Sequence, residues 1–264
     1  MLPLEPVRRW RWWFHLLIIG GYPLLLGIVG AGQRHDKGAA LTGSSKGLLT
    51  VCLVELAIFG LFLGLSVLVS KASRDDLLLR WRRGFLPVAL GLGYSLLIRL
   101  VAGLAFVVVF SVVGTFLVAA KMATFESLQE YAVKNKPDVE TVVNIKALSE
   151  DSAYYWLSLT LVSFVVAGLR EELWRSASLA GLRNLWPQRF GSRKGEILGV
   201  LLTAVVFGLG HLPQGILGVA LTGLVGVCLG GIMIYHRSIW PAVLAHGFFD
   251  ATSLAMLPLV LKHA

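Results

Sequence analysis

The chain has 264 residues, of which 56% are hydrophobic and 15% are charged, and its formal net charge at pH 7 is +9. Soluble domains carry about 25% charged residues, so this composition excludes a water-soluble domain, a disordered chain and a chain that coats nucleic acid. We therefore predict an all-α, polytopic transmembrane helical bundle whose basic residues lie in the loops. The two cysteines, Cys52 and Cys228, lie in apolar runs and offer neither a disulfide framework nor a zinc ribbon.

Stretches without Asp, Glu, Lys or Arg predict the membrane spans, because a charge at the bilayer centre costs about 2.5–3.5 kcal/mol. Residues 84–120 fit either one long tilted helix or two short ones, so the predicted number of spans is seven or eight. The Leu-Pro-Gln-Gly sequence at 212–215 predicts a turn within a long apolar run. The predicted spans are residues 12–33, 47–70, 84–120, 152–169 with a continuation through 172, 197–236 as two spans, and 238–261.

These spans divide the chain into N-terminal transmembrane helices at 1–120, a polar extramembrane loop at 121–151 and a catalytic bundle at 152–264. The apolar stretch near the N-terminus is too long for a signal peptide, so we expect it to be a retained anchor. With a cytoplasmic N-terminus and one crossing at 84–120, the inner loops hold thirteen Lys and Arg and the outer loops eight. The positive-inside rule therefore predicts a cytoplasmic N-terminus, and the short loops favour a bacterial plasma membrane.

Ionisable residues within spans are usually functional, and the densest group is Arg-Glu-Glu-Leu-Trp-Arg at 170–175. On a helix, Arg175 lies four residues after Glu171 and three after Glu172, so it can neutralise either carboxylate. The other carboxylate would then keep an incompletely paired charge, which suits a general base. The same residues would form a structural ion pair if they only fix helix packing.

Two further pairs of residues lie on later spans. Phe207 and His211 are four apart and share a helical face, as do His246 and Asp250. Because buried polar groups need partners, we expect these residues to converge with Glu171 inside the membrane.

Ionisable residues outside these groups have ordinary structural interpretations. We expect Glu55 and Arg99 to be structural and to pair with each other. His15, His35, His236 and His263 lie near span ends or in loops, which predicts interfacial or solvated imidazoles.

The three groups resemble the motifs of the CPBP (CAAX protease and bacteriocin-processing, or Abi) intramembrane proteases, which include the type II CAAX prenyl endopeptidases. The family pattern of two glutamates, three residues and an arginine is similar to Glu171, Glu172 and Arg175. Its second and third motifs are similar to Phe207-x-x-x-His211 and His246-x-x-x-Asp250. They occur in family order within residues 152–261, each on its own span.

The resemblance implies an intramembrane glutamate peptidase in which Glu171 and His211 activate a water and His246 and Asp250 stabilise the oxyanion. It assigns supporting roles to Glu172, Arg175 and Phe207. Type II prenyl endopeptidases usually have Asn where this chain has Asp250. Because an ionised Asp cannot donate a hydrogen bond, Asp250 must either be protonated or orient His246, as a triad carboxylate orients its imidazole.

Glu171, His211 and His246 could also ligate Zn²⁺. The chain lacks the His-Glu-x-x-His sequence of zinc peptidases, and the resemblance implies a metal-independent mechanism, so we expect no cofactor and keep Zn²⁺ as the alternative. The expected partners are the lipid bilayer and a protein or peptide substrate, prenylated or membrane-anchored, and not nucleic acid.

Two other classes of function are consistent with a polar cluster in the membrane. A non-enzymatic scaffold or a bacteriocin-immunity-type protein would keep the cluster for packing or partner binding. A transporter would use it as a proton relay, but the motifs occur only in the second half of the chain and no inverted repeat is evident.

Overall fold

The computed structural model describes residues 6–33, 43–81 and 84–261, and within these residues all regular structure is helical. The N-terminal half contains α1 (Pro6–Gln33), α2 (Ser45–Ser70) and α3 (Leu86–Ala119). The predicted loop at 121–151 contains α4 (Phe125–Lys134), a 3₁₀ turn (Val139–Thr141) and α5 (Ile145–Glu150). The predicted segment 84–120 thus contains one continuous helix, Leu86–Ala119, and not two.

The second half begins with α6 (Ser152–Leu157), which continues through a π-helical segment (Ser158–Arg170) into α7 (Glu171–Leu185) without a break. Three longer helices follow the short α8 (Pro187–Phe190). They are α9 (Arg193–Gly210), α10 (Ile216–His236) and α11 (Trp240–Leu261), and a 3₁₀ turn at Leu212–Gln214 joins α9 to α10. The predicted turn at 212–215 is therefore confirmed.

Five helices in the described part of the chain are long and apolar enough to cross a membrane. The seven or eight predicted spans are therefore not confirmed. Part of the predicted first span lies in the portion of α1 whose side chains are not described. α9 has only 18 residues and begins with Arg193, Lys194 and Glu196, so its charged first turn shortens the apolar part of the helix. The five candidate spans are Ser45–Ser70, Leu86–Ala119, Ser152–Leu185, Ile216–His236 and Trp240–Leu259.

The site helices pack at the centre and the N-terminal helices pack around them. α11 lies between α3 and the π-helical segment, while α9 pairs with α10. α1 joins α2 to α7 through a cluster that includes Trp12, Ile19, Phe59 and Trp174. By contrast, many apolar side chains of α3 are exposed, such as Leu104 at 66%, as expected for a helix that faces lipid.

His15 contributes to this packing, and the prediction of an interfacial or solvated imidazole is wrong for it. Its side chain has no exposed surface. One ring nitrogen lies 2.9 Å from the Ala177 carbonyl oxygen on α7, and the other lies 3.0 Å from Ser70 Oγ on α2. His236 is also buried, 2.9 Å from the Tyr94 hydroxyl, whereas His35 and His263 lie outside the described residues.

Candidate active site

Close approach of two helices places Glu171 beside α11. Gly168 lies in the π-helical segment, and a Cβ atom at this position would come within 2.8 Å of the Val243 carbonyl oxygen on α11. On α11, Gly247 faces the Phe164 ring, and a Cβ atom there would overlap the ring. Glycine on both helices therefore allows a separation that larger residues would prevent. π-Helical turns often occur at functional sites, and this one ends immediately before Glu171.

His246 is the centre of the polar cluster, and three carboxyl groups surround its imidazole. Its Nδ1 lies 3.3 Å from Glu172 Oε1, while its Nε2 lies 3.5 Å from Asp250 Oδ2 and 3.8 Å from Glu171 Oε2. The exposed fractions of the side chains differ, at 6% for His246, 30% for Asp250 and 18% for Glu171. The cluster is thus covered on its Glu172 side and open on the side of Glu171 and Asp250.

The covered side is formed by Glu172 and Arg175, which are fully buried and form an ion pair one helical turn apart. The Arg175 guanidinium lies 4.8 Å from the centre of the Phe207 ring, a cation–π distance. Apart from this ion pair, Glu172 Oε2 and the three guanidinium nitrogens of Arg175 have no hydrogen-bond partner among the described residues. The ion pair is therefore stabilised by the attraction between its two charges and by the contact of the guanidinium with the Phe207 ring.

His211 joins the site through Phe207 and not through Glu171. The Phe207 ring centre lies 4.8 Å from the His211 ring and 6.1 Å from the His246 ring. His211 Nδ1 lies 2.9 Å from the Phe207 carbonyl oxygen; since a carbonyl only accepts, Nδ1 carries the proton and Nε2 is left as an acceptor. His211 interacts electrostatically with Asp250. Within the described part of the chain, it makes no hydrogen bond or ion pair with Glu171.

The open side includes residues from the N-terminal half. Arg170 Nη2 donates to Glu171 Oε1 at 2.8 Å, and Nη1 donates to Glu55 Oε2 on α2 at 2.8 Å and to the Tyr22 hydroxyl on α1 at 3.1 Å. The predicted pairing of Glu55 with Arg99 is therefore wrong. Arg99 instead binds α11, where it donates to Ser253 Oγ at 3.1 Å and to the Phe249 carbonyl oxygen and Thr252 Oγ1.

Sequence reasoning noted Glu55 and Arg170 but missed Tyr22. A carboxylate in one apolar span and a cation in another predict an ion pair between spans. The sequence offered several possible partners for Glu55 and for Arg170, so it did not identify this pair. Tyrosine in a span is too common near interfaces to be singled out.

The donors predicted for the alternative Zn²⁺ site are Glu171, His211 and His246. Among residues 6–33, 43–81 and 84–261, no three His, Cys, Asp or Glu side chains are arranged to hold a metal ion. Glu171 Oε2 and His246 Nε2 lie 3.8 Å apart, and the contact of His211 Nδ1 with the Phe207 carbonyl oxygen leaves Nε2 as the ring atom that could bind a metal.

The helices that carry the site match a known protein family. Residues 153–252 match the family described as type II CAAX prenyl endopeptidase Rce1-like. No curated protein and no solved structure matches the chain. The matched segment contains all three motifs and the cluster around His246. Over residues 153–252 the chain is therefore similar to the type II CAAX prenyl endopeptidases, and the five long apolar helices in its described part are those of an integral membrane protein.

Proposed function

We propose that this protein is an intramembrane endopeptidase that hydrolyses a peptide bond near the membrane surface with a water activated by Glu171. The observation that carries the proposal is the partly exposed gap between Glu171 Oε2 and His246 Nε2, which are 3.8 Å apart. This distance is too long for a hydrogen bond but suits a bridging water about 2.8 Å from each atom. Glu171 Oε1 is already bound by Arg170, so Oε2 is the oxygen free to accept a proton.

In the first step, Glu171 Oε2 takes a proton from the water while the water oxygen attacks the peptide carbonyl carbon. His211 assists, since its Nε2 can accept a hydrogen bond from the same water. Before the attack the His246 Nε2–H donates to the water, and as the bond to the carbonyl carbon forms it donates instead to the developing oxyanion. In the second step, Glu171 returns its proton to the leaving nitrogen as the C–N bond breaks, so no acyl-enzyme forms.

Asp250 acts in this proposal by orienting His246. An ionised carboxylate cannot donate to an oxyanion. Asp250 Oδ2 lies 3.5 Å from His246 Nε2, a charge contact that leaves the Nε2–H for the water and the oxyanion. Glu172 accepts from the other ring nitrogen. The two carboxylates thus fix the plane of the imidazole, and the oxyanion donor is His246 alone.

The proposed substrate is a membrane-associated polypeptide, since the gap lies between apolar helices. A prenylated C-terminus, a leader peptide and another membrane protein all fit this description. We propose that the reaction needs no metal.

The proposed orientation places the N-terminus in the cytoplasm of a bacterial cell. The charge count carries this orientation, and one contact cluster supports its grouping of loops, because three loops that the count assigns to the inner side meet there. Arg183 and Arg237 both pair with Glu196, and Arg183 also donates to the Asp76 carbonyl oxygen at 2.7 Å. Reporter fusions after residues 79 and 134 should show the first inside and the second outside.

The activity is tested by cleavage of a quenched fluorescent peptide library, with and without a C-terminal prenyl-cysteine, by the detergent-purified protein. Glu171→Gln should lose at least about 100-fold in kcat, since general-base catalysis contributes about 10²–10⁴-fold, and His211→Ala should also lose activity. Glu150→Gln, an exposed glutamate on α5, is the matched control and should cleave like wild type.

Each part of this experiment has a result that would contradict the proposal. Full activity of Glu171→Gln would overturn the glutamate mechanism, and inhibition by a chelator that added Zn²⁺ reverses would overturn the metal-free one. A folded wild type that cleaves no member of the library would favour the scaffold function.

A further inference from the structure

The Arg170 guanidinium connects the site to the part of the chain outside the family match. It lies between two carboxylates, with Glu171 Oε1 on one side and Glu55 Oε2 on the other, both at 2.8 Å. The Tyr22 hydroxyl contacts the same nitrogen as Glu55, at 3.1 Å. Tyr22 and Glu55 precede residue 153, so these contacts lie outside the segment that matches the family.

These contacts fix which face of Arg170 meets Glu171. The Arg170 side chain is 11% exposed, and its Nε has no hydrogen-bond partner among the described residues. The two terminal nitrogens therefore determine the orientation of the guanidinium. Nη1 is occupied by Glu55 and Tyr22, which leaves Nη2 for Glu171.

A single bond from Nη2 has a consequence for the general base. A guanidinium free of other partners tends to bind a carboxylate through two parallel hydrogen bonds, which would occupy both oxygens of Glu171. Since Nη1 is held elsewhere, Arg170 binds only Oε1. The other oxygen, Oε2, then faces His246 Nε2.

We propose that Glu55 and Tyr22 are positioning residues that act through Arg170 to keep Glu171 Oε2 available as the base. This inference rests on the proposed function. It assigns part of the catalytic geometry to α1 and α2, which the family match does not cover.

Apolar packing already holds α1, α2 and α7 together. Phe59 and Trp174 belong to one buried cluster with Ile19, and the Tyr22 ring packs 5.1 Å from the Phe59 ring. Without the Glu55 carboxylate, Arg170 still pairs with Glu171, so no buried charge is left without a counter-ion. Loss of the Glu55 carboxylate should therefore affect the rate far more than the fold.

The test is a double-mutant cycle in kcat between Glu55→Gln and Arg170→Gln. Glu55→Gln should lower kcat about tenfold with KM within about twofold and Tm nearly unchanged, and Glu55→Asp should recover part of the loss. Tyr22→Phe, which keeps the ring, should lower kcat a few-fold. In the Arg170→Gln background, Glu55→Gln should have no further effect. Arg170→Lys replaces Arg170→Gln in the cycle if the latter does not fold.

A matched control and a spectroscopic readout complete the design. Thr50→Val changes an exposed polar residue on α2 that bonds only within its own helix and should match wild type. The ¹⁵N resonances of the His246 ring, assigned by their loss in His246→Gln, should shift in Glu55→Gln but not when Arg170→Gln is already present.

The outcomes separate this inference from the proposed function. Additive effects in the cycle, or a loss of Tm that accounts for the loss of kcat, would overturn the positioning role. If Glu171→Gln cleaves like wild type, the proposed mechanism fails, and the His246 resonances then decide whether Glu55 acts on the site through Arg170. An unchanged His246 spectrum in Glu55→Gln would overturn the inference in either case.

Discussion

Glu171 and Glu172 are neighbours in sequence but belong to two regions of the site with different surroundings. We call Glu172 and Arg175 the closed pair, since neither side chain has exposed surface. We call Glu171, Arg170 and Glu55 the open chain, whose side chains are 18%, 11% and 33% exposed. A motif that contains two adjacent glutamates thus places one in a dry, structural environment and the other beside a gap.

The comparison shows how burial separates roles that residue type does not. Removing one partner of a buried ion pair leaves an uncompensated charge and is strongly destabilising, whereas Arg170 keeps a second carboxylate when either Glu171 or Glu55 is removed. We therefore expect substitutions in the closed pair to affect stability first, and substitutions in the open chain to affect catalysis first.

The largest expected effect is in the closed pair. Glu172→Gln should lower the free energy of unfolding by about 3–5 kcal/mol, because Arg175 would keep a buried charge without a counter-ion. Glu171→Gln should leave it nearly unchanged. Denaturant titration of both variants in mixed micelles measures the difference. The double variant Glu172→Met/Arg175→Leu should recover most of the stability, and equal losses in the two single variants would remove the distinction between the regions.

The next largest effect concerns the helix approach that brings Glu171 to His246. Gly168→Ala should destabilise by about 1–3 kcal/mol, as overpacking does, because the new Cβ would press on the Val243 carbonyl oxygen. It should also lower kcat, since α11 would move away from Glu171. Gly231→Ala on α10 is the control, because a Cβ there has no neighbour within 4 Å. A Gly168→Ala variant as stable and active as Gly231→Ala would contradict the prediction.

Substitution of Asp250 should have a smaller effect, and it tests whether this residue orients His246 on the open side of the cluster. If Asp250 orients His246 through the 3.5 Å contact between Oδ2 and Nε2, Asp250→Asn should lose less than about tenfold in kcat, since the amide oxygen keeps a partial negative charge at this position. Asp250→Ala should lose about 100-fold. Both variants should keep the Tm of wild type within a few degrees. A gain of activity in Asp250→Asn would instead indicate that the site needs a donor at this position.

The smallest effect is expected far from the site, where α6 begins. Asp151 accepts hydrogen bonds from the backbone nitrogens of Ala153 and Tyr154, and of Ser45 at the start of α2. These bonds, that from Tyr154 above all, lower the pKa of Asp151 below its ordinary value of 3.8. A lowered pKa in the folded state means that the ionised carboxylate stabilises the fold above about pH 4 and that this stabilisation is lost as the pH falls further. Asp151→Ala should lower Tm by a few degrees at pH 7 and by progressively less below pH 4, as measured by thermal unfolding.

Local sequence patterns predicted the features that depend on few neighbours. The Glu171, Glu172 and Arg175 spacing predicted an ion pair on one helix, which the structure contains between Glu172 and Arg175. Proline and glycine at 212–215 predicted the turn between α9 and α10. Such signals depend on helical periodicity and backbone restriction, which act within about one turn of the chain.

Predictions of contacts between residues far apart in the sequence were less accurate. Glu55 pairs with Arg170 and not with Arg99, because the rotation of α2 turns its carboxylate toward the π-helical segment. His15 is buried although it lies near the start of an apolar stretch, because α2 and α7 close over it. His211 was expected beside Glu171, but its ring packs on Phe207.

The sequence by itself determined that the chain is helical and apolar, and it predicted on which helices the ionisable residues of the three motifs lie. These properties follow from composition and from a repeat of 3.6 residues, both of which are local. Only the tertiary structure decided which glutamate is closed off and which faces the gap, and that Tyr22 and Glu55 reach the site through Arg170. The reason is physical: exposure and charge pairing depend on how neighbouring helices rotate and how closely they approach. Those quantities are set by glycine contacts and side-chain packing between segments far apart in the chain.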